Sequence, residues 1–231
     1  MKLTHQQMRL YAVTDRAWAA DEDAFFSQIE AAIDGGAGIV QLREKHLDED
    51  AFLKEAERFV ALCRRRGVIS IINDNVEIAA RTGAGGVHVG QQDLEAGRVR
   101  ELLGPDKLIG VSAHSVEEAL RAQAAGADYL GTGAAFVTGT KTDAKPVGHD
   151  VIRAVTAAVD IPVVAIGGIG HDNILELDGC GLAGVAVVSA LFARPGSSGA
   201  SPSGSPGKIQ FLSQRGGSSA FAEEGGKFPV R

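Results

Sequence analysis

A regular alternation of short apolar runs with segments of helical period constrains the fold of this chain most strongly. The runs are rich in Val, Ile and Leu, as strands buried on both faces of a sheet are. The predicted strands cover 8–13, 37–42, 68–72, 85–89, 107–111, 127–131, 162–166 and 183–188, and the predicted helices cover 22–34, 48–66, 75–82, 94–103, 115–125, 148–159 and 172–178. This strict strand-then-helix order predicts an α/β fold, the (β/α)8 TIM barrel. An open doubly wound sheet is the alternative, but so short a span for eight strands favours closure.

The last part of the chain differs in composition from the rest. Residues 194–231 contain 8 glycines, 8 serines and 4 prolines in 38 positions. A stretch so rich in helix breakers does not form an amphipathic helix. The sequence therefore predicts a barrel domain over 1–193 without a regular final helix, followed by a disordered tail over 194–231.

Charge and apolar patterning exclude several classes of partner. The net charge of −6 argues against nonspecific nucleic-acid binding but leaves a phosphorylated small molecule open. No apolar run reaches the length of about 18 residues that a membrane-spanning helix needs, and the first ten residues lack the apolar stretch of a signal peptide. Cys63 and Cys180 match no metal or disulfide spacing, which predicts a reducing cytoplasm. Whether the chain forms a homo-oligomer stays open.

Polar residues continue the inward face of the second predicted strand. Alternation with a period of two places Gln41, Arg43 and Lys45 on the same face as Ile39, rising toward the carboxyl end where TIM barrels hold their active sites. A solvated loop with ordinary surface charge is the alternative. The alignment with a core isoleucine favours a functional site.

One carboxylate follows each of the next two strands: Asp74 after strand three and Asp93 after strand four. Adjacent strands bring both to one rim of a barrel, where two carboxylates and the phosphate oxygens of a substrate suit Mg²⁺. Helix capping is the alternative and is favoured when these two residues are taken alone.

Further polar groups follow strands five to eight. Ser112 suits either a phosphate ligand or a helix cap, His114 is interpreted as a surface residue, and His88 as a packed or hydrogen-bonded histidine. The long segment 131–148, with its hydroxyl groups and two lysines, is predicted to close over an anionic substrate, although a plain connection is the alternative. Glycines after strand seven and Ser189 after strand eight match the phosphate cup of such barrels.

Seven motifs, each at the end of a predicted strand, resemble those of the thiamine-phosphate synthase (thiamine monophosphate synthase) family. They are LYAVTD at 10–15, QLREK at 41–45, NDN at 73–75, HVGQQDL at 88–94, GVSAHS at 110–115, FVTGTK at 136–141 and AIGGI at 165–169, and the resemblance covers 8–193. It implies a transferase of thiamine biosynthesis. Such an enzyme joins an aminopyrimidine diphosphate to a thiazole phosphate, or to its carboxylated form, and releases pyrophosphate.

The resemblance also implies roles for individual residues. The pyrimidine substrate would be held by Gln41, Leu42, Arg43, Glu44, Lys45, Asn73, Ser112 and Lys141. The thiazole phosphate would be held by Thr138, Gly139 and Thr140, with Gly168, Val188 and Ser189 around its phosphate. Asp74 and Asp93 would bind the cofactor Mg²⁺, and the groups expected to act in catalysis are Arg43, Lys45, Ser112 and Lys141.

The implied reaction is a dissociative substitution, which needs charge stabilisation and exclusion of water rather than a strong general base. Ala134 and Val137 stand where the family usually has proline, so the loop is expected to be more flexible when open.

Three alternatives stay open at the level of the sequence. The first is a thiazole tautomerase, for which the resemblance implies a histidine near Ala134. The others are an inactive ligand-binding barrel weakened by the missing helix, and another phosphate-binding barrel enzyme. The synthase is preferred because 131–148 contains no histidine and both Asp74 and Asp93 are present.

Overall fold

The computed structural model describes residues 3–91, 93–138 and 146–193. Eight parallel strands pair in sequential order, and the last pairs with the first, so the sheet closes into a barrel. The strands are β1 Leu10–Val13, β2 Ile39–Leu42, β3 Ile69–Asn73, β4 Gly86–Val89, β5 Leu108–Ala113, β6 Tyr129–Gly133, β7 Val163–Ile166 and β8 Gly184–Val187. The predicted TIM barrel is confirmed, and the open sheet is excluded.

Helices of varied length surround this barrel. They are α1 His5–Met8, α2 Glu22–Asp34, α3 Glu49–Arg66, α4 Val76–Thr82, α5 Ala96–Leu103, α6 Val116–Ala124, α7 His149–Ala158 and α8 Ser189–Phe192. The longest, α3, shows why such helices form where they do. The Asp48 carboxylate accepts the Ala51 amide at 2.9 Å, and Gly67 ends the helix in the left-handed region at φ 69°.

Two predicted elements differ from the structure. The first strand was predicted from residue 8, but Met8 ends α1, because Thr4 and Gln7 form a capping box that starts a helical turn. The predicted helix at 172–178 is wrong: only a 3₁₀ turn forms, at Ile174–Leu177. The Asn173 side chain donates to the Gly168 carbonyl at 2.8 Å and accepts from the Gly170 amide at 2.9 Å, and these bonds compete with a regular helical start.

Strand alternation separates two hydrophobic cores. Inward-facing side chains of the strands fill the barrel together with Met8 of α1, and this interior cluster includes Tyr11, Val13, Ile39, Ile69, Ile71, Leu108, Tyr129, Val164 and Ala186. Outward-facing side chains such as Val40 and Ile72 pack against the helices in the larger outer core. The apolar interior closes the amino end of the barrel, so a ligand can enter only from the carboxyl end.

The described part of the chain ends shortly after β8. Its last helix, α8, has four residues, and Phe192 is buried in the outer core. Residues 194–231, where the sequence predicts a disordered tail in place of a regular final helix, lie outside the described residues. Within those residues, no helix has the length and apolar character required to cross a membrane.

Candidate active site

A cavity of about 180 Å³ opens at the carboxyl ends of the strands. Every strand or the loop after it contributes to its wall. The lining residues are Tyr11, Val13, Gln41, Arg43, Asn73, His88, Ser112, His114, Gly131, Gly133, Ala134, Thr138, Val164, Ile166, Gly167, Gly168, Ile169, Ala186, Val187, Val188 and Ser189. Small inward residues on β6 and β8 leave this space unfilled, while bulky residues such as Ile39 and Ile71 fill the barrel below it.

Five polar side chains form a continuous hydrogen-bond chain between the strands, which we call the cross-barrel chain. The Gln41 amide nitrogen donates to the Tyr11 hydroxyl at 2.7 Å, and that hydroxyl lies 2.8 Å from the Tyr129 hydroxyl. Tyr129 Oη lies 3.2 Å from His88 Nδ1, and His88 Nε2 lies 3.1 Å from Ser112 Oγ. The chain thus connects Gln41 and Ser112, two predicted site residues on different strands, through three side chains.

Burial keeps the cross-barrel chain uncharged at neutral pH. It raises the pKa of the Tyr11 and Tyr129 phenols above their usual range. It lowers the pKa of the His88 imidazole to about 4, against a smaller opposing effect of the nearby Asp93 carboxylate. The phenols therefore stay protonated and the imidazole stays neutral, and each can serve only as a hydrogen-bond donor and acceptor.

Charged side chains follow β2, β3 and β4 at the carboxyl end of the barrel, which forms the mouth of the cavity. Arg43 lines the cavity, and its backbone amide donates to the buried Thr14 hydroxyl at 3.0 Å. Lys45 Nζ lies 2.9 Å from Asp74 Oδ2, and both side chains are partly exposed. The Asp93 carboxylate accepts the Gly90 amide at 2.6 Å. These groups give the mouth both cations for an anionic ligand and carboxylates for a cation.

The backbone of Asp74 has an uncommon conformation. Its φ is 62°, and among the described residues it is the one position other than glycine with a positive φ. Its amide donates to the His88 carbonyl at 2.8 Å, which holds this conformation beside β4. The next residue, Asn75, caps α4 by accepting the Ile78 amide. Asp74 is therefore not used as the helix cap, and local strain of this kind concentrates at functional sites.

A buried ionic group supports the loop after β2 from outside the cavity. The Arg16 guanidinium pairs with Glu44 at 3.0 Å and with Glu55, and both carboxylates are nearly inaccessible to solvent. The Arg16 guanidinium also lies over the Phe25 ring at 4.6 Å. Glu44 is held on this side of the chain, and its neighbour Arg43 lines the cavity on the other.

The loop after β6 contacts the glycines after β7. The amides of Ala135 and Phe136 donate to the carbonyls of Ile166 and Gly167 at 2.8 and 3.0 Å. A Cβ atom on Gly168 would lie 2.5 Å from the Val137 carbonyl oxygen, so the close approach requires glycine. This approach brings Thr138 to the wall of the cavity beside Gly168.

The predicted site residues divide into three groups by position. Those that line the cavity are Gln41, Arg43, Asn73, Ser112, Thr138, Gly168, Val188 and Ser189. Those that do not line it are Lys45, Asp74 and Asp93 at the mouth, Glu44 in its pair with Arg16, and Leu42 in the outer core. Gly139, Thr140 and Lys141 lie outside the described residues. The binding role of each stays a prediction.

Tyr11 and Tyr129 were not predicted as site residues, whereas the interpretation of His88 as a packed or hydrogen-bonded histidine is confirmed. Tyr11 and His88 line the cavity, and Tyr129 joins them in the cross-barrel chain. The inward period of β1, β4 and β6 could have indicated them, because polar aromatic groups at inward positions need partners inside the barrel. His114, interpreted as a surface residue, also lines the cavity and is paired with Glu118 at 3.0 Å.

The fold and the cavity are those of a TIM-barrel enzyme with its active site at the carboxyl end of the strands. A family model described as thiamine monophosphate synthase matches residues 10–191. The chain therefore belongs to the thiamine monophosphate synthase family.

Relatives and solved structures agree with this assignment. The chain is 48% identical over 195 residues to the thiamine-phosphate synthase of Alkaliphilus oremlandii, covering 84% of this chain and 93% of that protein. It is 47% identical over 190 residues to a chloroplastic thiamine biosynthetic bifunctional enzyme of Arabidopsis thaliana, covering 79% of this chain and only 36% of the plant protein. The structure of thiamine phosphate pyrophosphorylase from Pyrococcus furiosus has a TM-score of 0.75 and 35% identity, covering 82% of this chain and 90% of that chain.

Proposed function

We propose that this chain is a thiamine-phosphate synthase, a transferase of thiamine biosynthesis. It condenses an aminopyrimidine diphosphate with a thiazole phosphate to form thiamine phosphate and releases pyrophosphate. The observation that carries the proposal is the match of the thiamine monophosphate synthase family over 10–191, in a barrel whose cavity is lined by several of the predicted polar residues, Gln41, Arg43, Asn73 and Ser112 among them. The similarity to the Alkaliphilus synthase over 93% of that protein supports the same reaction.

The two substrates fit opposite sides of the cavity. Gln41, Asn73 and Ser112 provide neutral polar groups on β2, β3 and β5, where the pyrimidine would bind, with Arg43 directed to its diphosphate. Thr138, Gly168, Val188 and Ser189 lie after β6, β7 and β8, where the thiazole phosphate would bind. This arrangement orients the two reacting centres toward each other within one enclosed space.

The residues at the mouth fit Mg²⁺ as the cofactor. This ion commonly takes one or two carboxylates together with the phosphate oxygens of a substrate, and Asp74 and Asp93 supply two carboxylates at neighbouring strand ends. Within the described residues, no group of three or more metal-binding side chains comes together. When bound, Mg²⁺ would neutralise charge on the leaving pyrophosphate.

The reaction proposed for this site is a dissociative substitution. Arg43 and Lys45 would stabilise the charge that develops on the diphosphate as it leaves, and the predicted role of Lys141 is the same. Gln41 and Ser112 would hold the pyrimidine ring while its bond to the diphosphate breaks. Ile166, which lines the cavity and packs against the interior cluster, would help to exclude water from the carbon that the thiazole nitrogen attacks.

The cellular setting stays a proposal. Both cysteines, Cys63 and Cys180, are free and buried in the described residues, which supports a reducing compartment such as the cytoplasm. The proposed partners are the two small-molecule substrates alone, with the oligomeric state left open.

The proposal is tested with purified chain, Mg²⁺ and both substrates, with thiamine phosphate detected as fluorescent thiochrome after oxidation. We expect product from the wild type and a loss of about a hundredfold or more in Arg43→Gln and in Asp93→Asn, because each removes a charge near the diphosphate. Asp93→Asn keeps an oxygen that can accept the Gly90 amide, so the loop should stay in place.

The matched control is Arg98→Gln, which removes an exposed arginine that pairs with a neighbouring glutamate on α5. Its activity should stay within about twofold of the wild type. Absence of product from folded wild-type chain would refute the proposed function. Full activity in both Arg43→Gln and Asp93→Asn would refute the assignment of these residues.

A further inference from the structure

The cross-barrel chain defined above has a direction. Each tyrosine hydroxyl has one proton to donate, and a neutral imidazole donates from one nitrogen and accepts at the other. The five groups can therefore all be satisfied only if every donor points the same way along the chain.

The Gln41 amide sets that direction at one end. Its nitrogen donates to Tyr11, and the two further contacts join Tyr11 to Tyr129 and Tyr129 to His88 Nδ1. Satisfying every group from this end requires that Tyr11 donate to Tyr129 and that Tyr129 donate to Nδ1. His88 then bears its proton on Nε2 and donates it to Ser112 Oγ. The Ser112 hydroxyl can then donate its proton in a hydrogen bond to a ligand in the cavity. The Gln41 carbonyl oxygen can accept a hydrogen bond from a ligand there. The reverse direction requires the Gln41 amide to be turned over and the His88 proton to move to Nδ1.

We infer that the cross-barrel chain fixes the hydrogen-bond polarity of the cavity, with an acceptor at Gln41 and a donor at Ser112. The inference rests on the proposed function, since the ligand that fits this polarity carries an amine at one end and an anionic oxygen or ring nitrogen at the other. An aminopyrimidine diphosphate has these groups. Its 4-oxo analogue presents an oxygen where the amine should be and opposes the Gln41 oxygen. Tyr11, Tyr129 and His88 are then positioning residues that determine specificity.

Two glycines keep the aromatic members of the chain in place. A Cβ atom on Gly110 would lie within 3.0 Å of both the Tyr129 ring and His88 Nδ1, and one on Gly131 would lie 3.1 Å from His88 Cε1. The ring centroids of Tyr11 and Tyr129 are 5.9 Å apart, and those of His88 and Tyr129 are 5.6 Å apart. This packing restricts ring motion and so maintains the hydrogen-bond geometry.

The cations at the mouth favour the same direction. Arg43 lines the cavity, so the site is suited to an anion. If the Ser112 hydroxyl donates into the cavity, it stabilises an anionic oxygen of the ligand. If its proton were donated to His88 instead, its oxygen lone pairs would face that anionic oxygen.

The first test is the protonation of His88 in the ligand-free full chain, by ¹⁵N–¹H NMR of the imidazole groups. The His88 signal is assigned by its loss in His88→Gln. We expect a proton on Nε2 and none on Nδ1 in the wild type, and a mixture of both forms in Tyr129→Phe, which removes the donor to Nδ1. A wild-type proton on Nδ1 would overturn the inference, and this result does not depend on whether the chain makes thiamine phosphate.

The second test is calorimetric binding of the aminopyrimidine diphosphate and of its 4-oxo analogue. We expect the preference of the wild type for the amino form to fall about tenfold in Tyr11→Phe, because Gln41 loses the hydroxyl that orients it. The control Ile39→Val alters the residue that pairs with Tyr11 on β2 and should leave the preference unchanged. Equal loss of affinity for both ligands in Tyr11→Phe would show a merely structural role and overturn the inference. If the wild type has the His88 proton on Nε2 as expected but binds neither ligand, the proposed function is refuted instead.

Discussion

Substitution of Gly110 by alanine adds one methyl group at the most crowded point of the cross-barrel chain. Gly110 lies on β5, facing into the barrel, beside His88 on one side and Tyr129 on the other. The added Cβ would come within 3.0 Å of the Tyr129 ring, its hydroxyl and His88 Nδ1. Its φ is not in the left-handed region, so the effect of the substitution is steric alone.

The expected cost follows from these contacts. Both rings are held by hydrogen bonds and packing, so neither can move without breaking a bond to the other. Overpacking of a core costs about 1–3 kcal/mol, and loss of a buried hydrogen bond costs about 1 kcal/mol more. Gly110→Ala should therefore lower the free energy of unfolding by about 2–4 kcal/mol.

Urea unfolding followed by circular dichroism measures this change. The matched control is Gly97→Ala within α5, where the new Cβ would make only an ordinary contact at 3.8 Å with the Ala125 carbonyl. The control should be neutral or stabilising by up to about 1 kcal/mol, because alanine favours helix more than glycine does. Substitutions at unconstrained sites usually change the free energy of unfolding by no more than ~0.5 kcal/mol. A decrease smaller than this in Gly110→Ala would show that the cross-barrel chain is not crowded at this position.

Three further predictions concern charge and capping. His88 stays neutral in the folded chain down to about pH 4, whereas in the unfolded chain it gains a proton near pH 6.5. The free energy of unfolding, measured by urea titrations at both pH values, should therefore fall by about 2 kcal/mol between pH 7 and pH 5. The fall should be smaller in His88→Gln. Arg16→Met leaves two buried carboxylates unpaired and should lower the free energy of unfolding by about 3–5 kcal/mol in the same assay. The control Arg121→Met removes an exposed pair on α6 and should lower it by less than about 0.5 kcal/mol. Equal decreases in the two variants would contradict the buried pairing. Asp48→Ala removes the cap of α3 and should cost about 1 kcal/mol, and Asp48→Asn should restore most of it.

Period-two alternation predicted which side chains of β2 face into the barrel, because this alternation can be seen in the sequence of a single strand. It placed Gln41 and Arg43 toward the carboxyl end, and the structure has both lining the cavity. The same alternation turns Leu42 and Glu44 away, and they pack in the outer core and against Arg16. Their assignment as substrate-binding residues came from the resemblance of a contiguous motif, which does not distinguish the two faces of a strand.

The partners within the cross-barrel chain could not be predicted from one strand at a time. Whether Tyr11 reaches Tyr129 depends on the stagger of β1 relative to β6, which is set by closure of the whole barrel. The helix predicted at 172–178 was wrong for a related reason, because helical periodicity does not take account of the bonds between the Asn173 side chain and nearby backbone groups. Long-range register and local side-chain competition are the two kinds of information that periodicity lacks.

The central claim is that this chain joins an aminopyrimidine diphosphate to a thiazole phosphate. The most direct measurement incubates the purified full chain with both substrates and Mg²⁺ and quantifies thiamine phosphate and pyrophosphate by mass spectrometry and a coupled phosphate assay. We expect both products to appear together, in equal amounts, and only when both substrates are present. Folded chain that forms no thiamine phosphate under these conditions would contradict it.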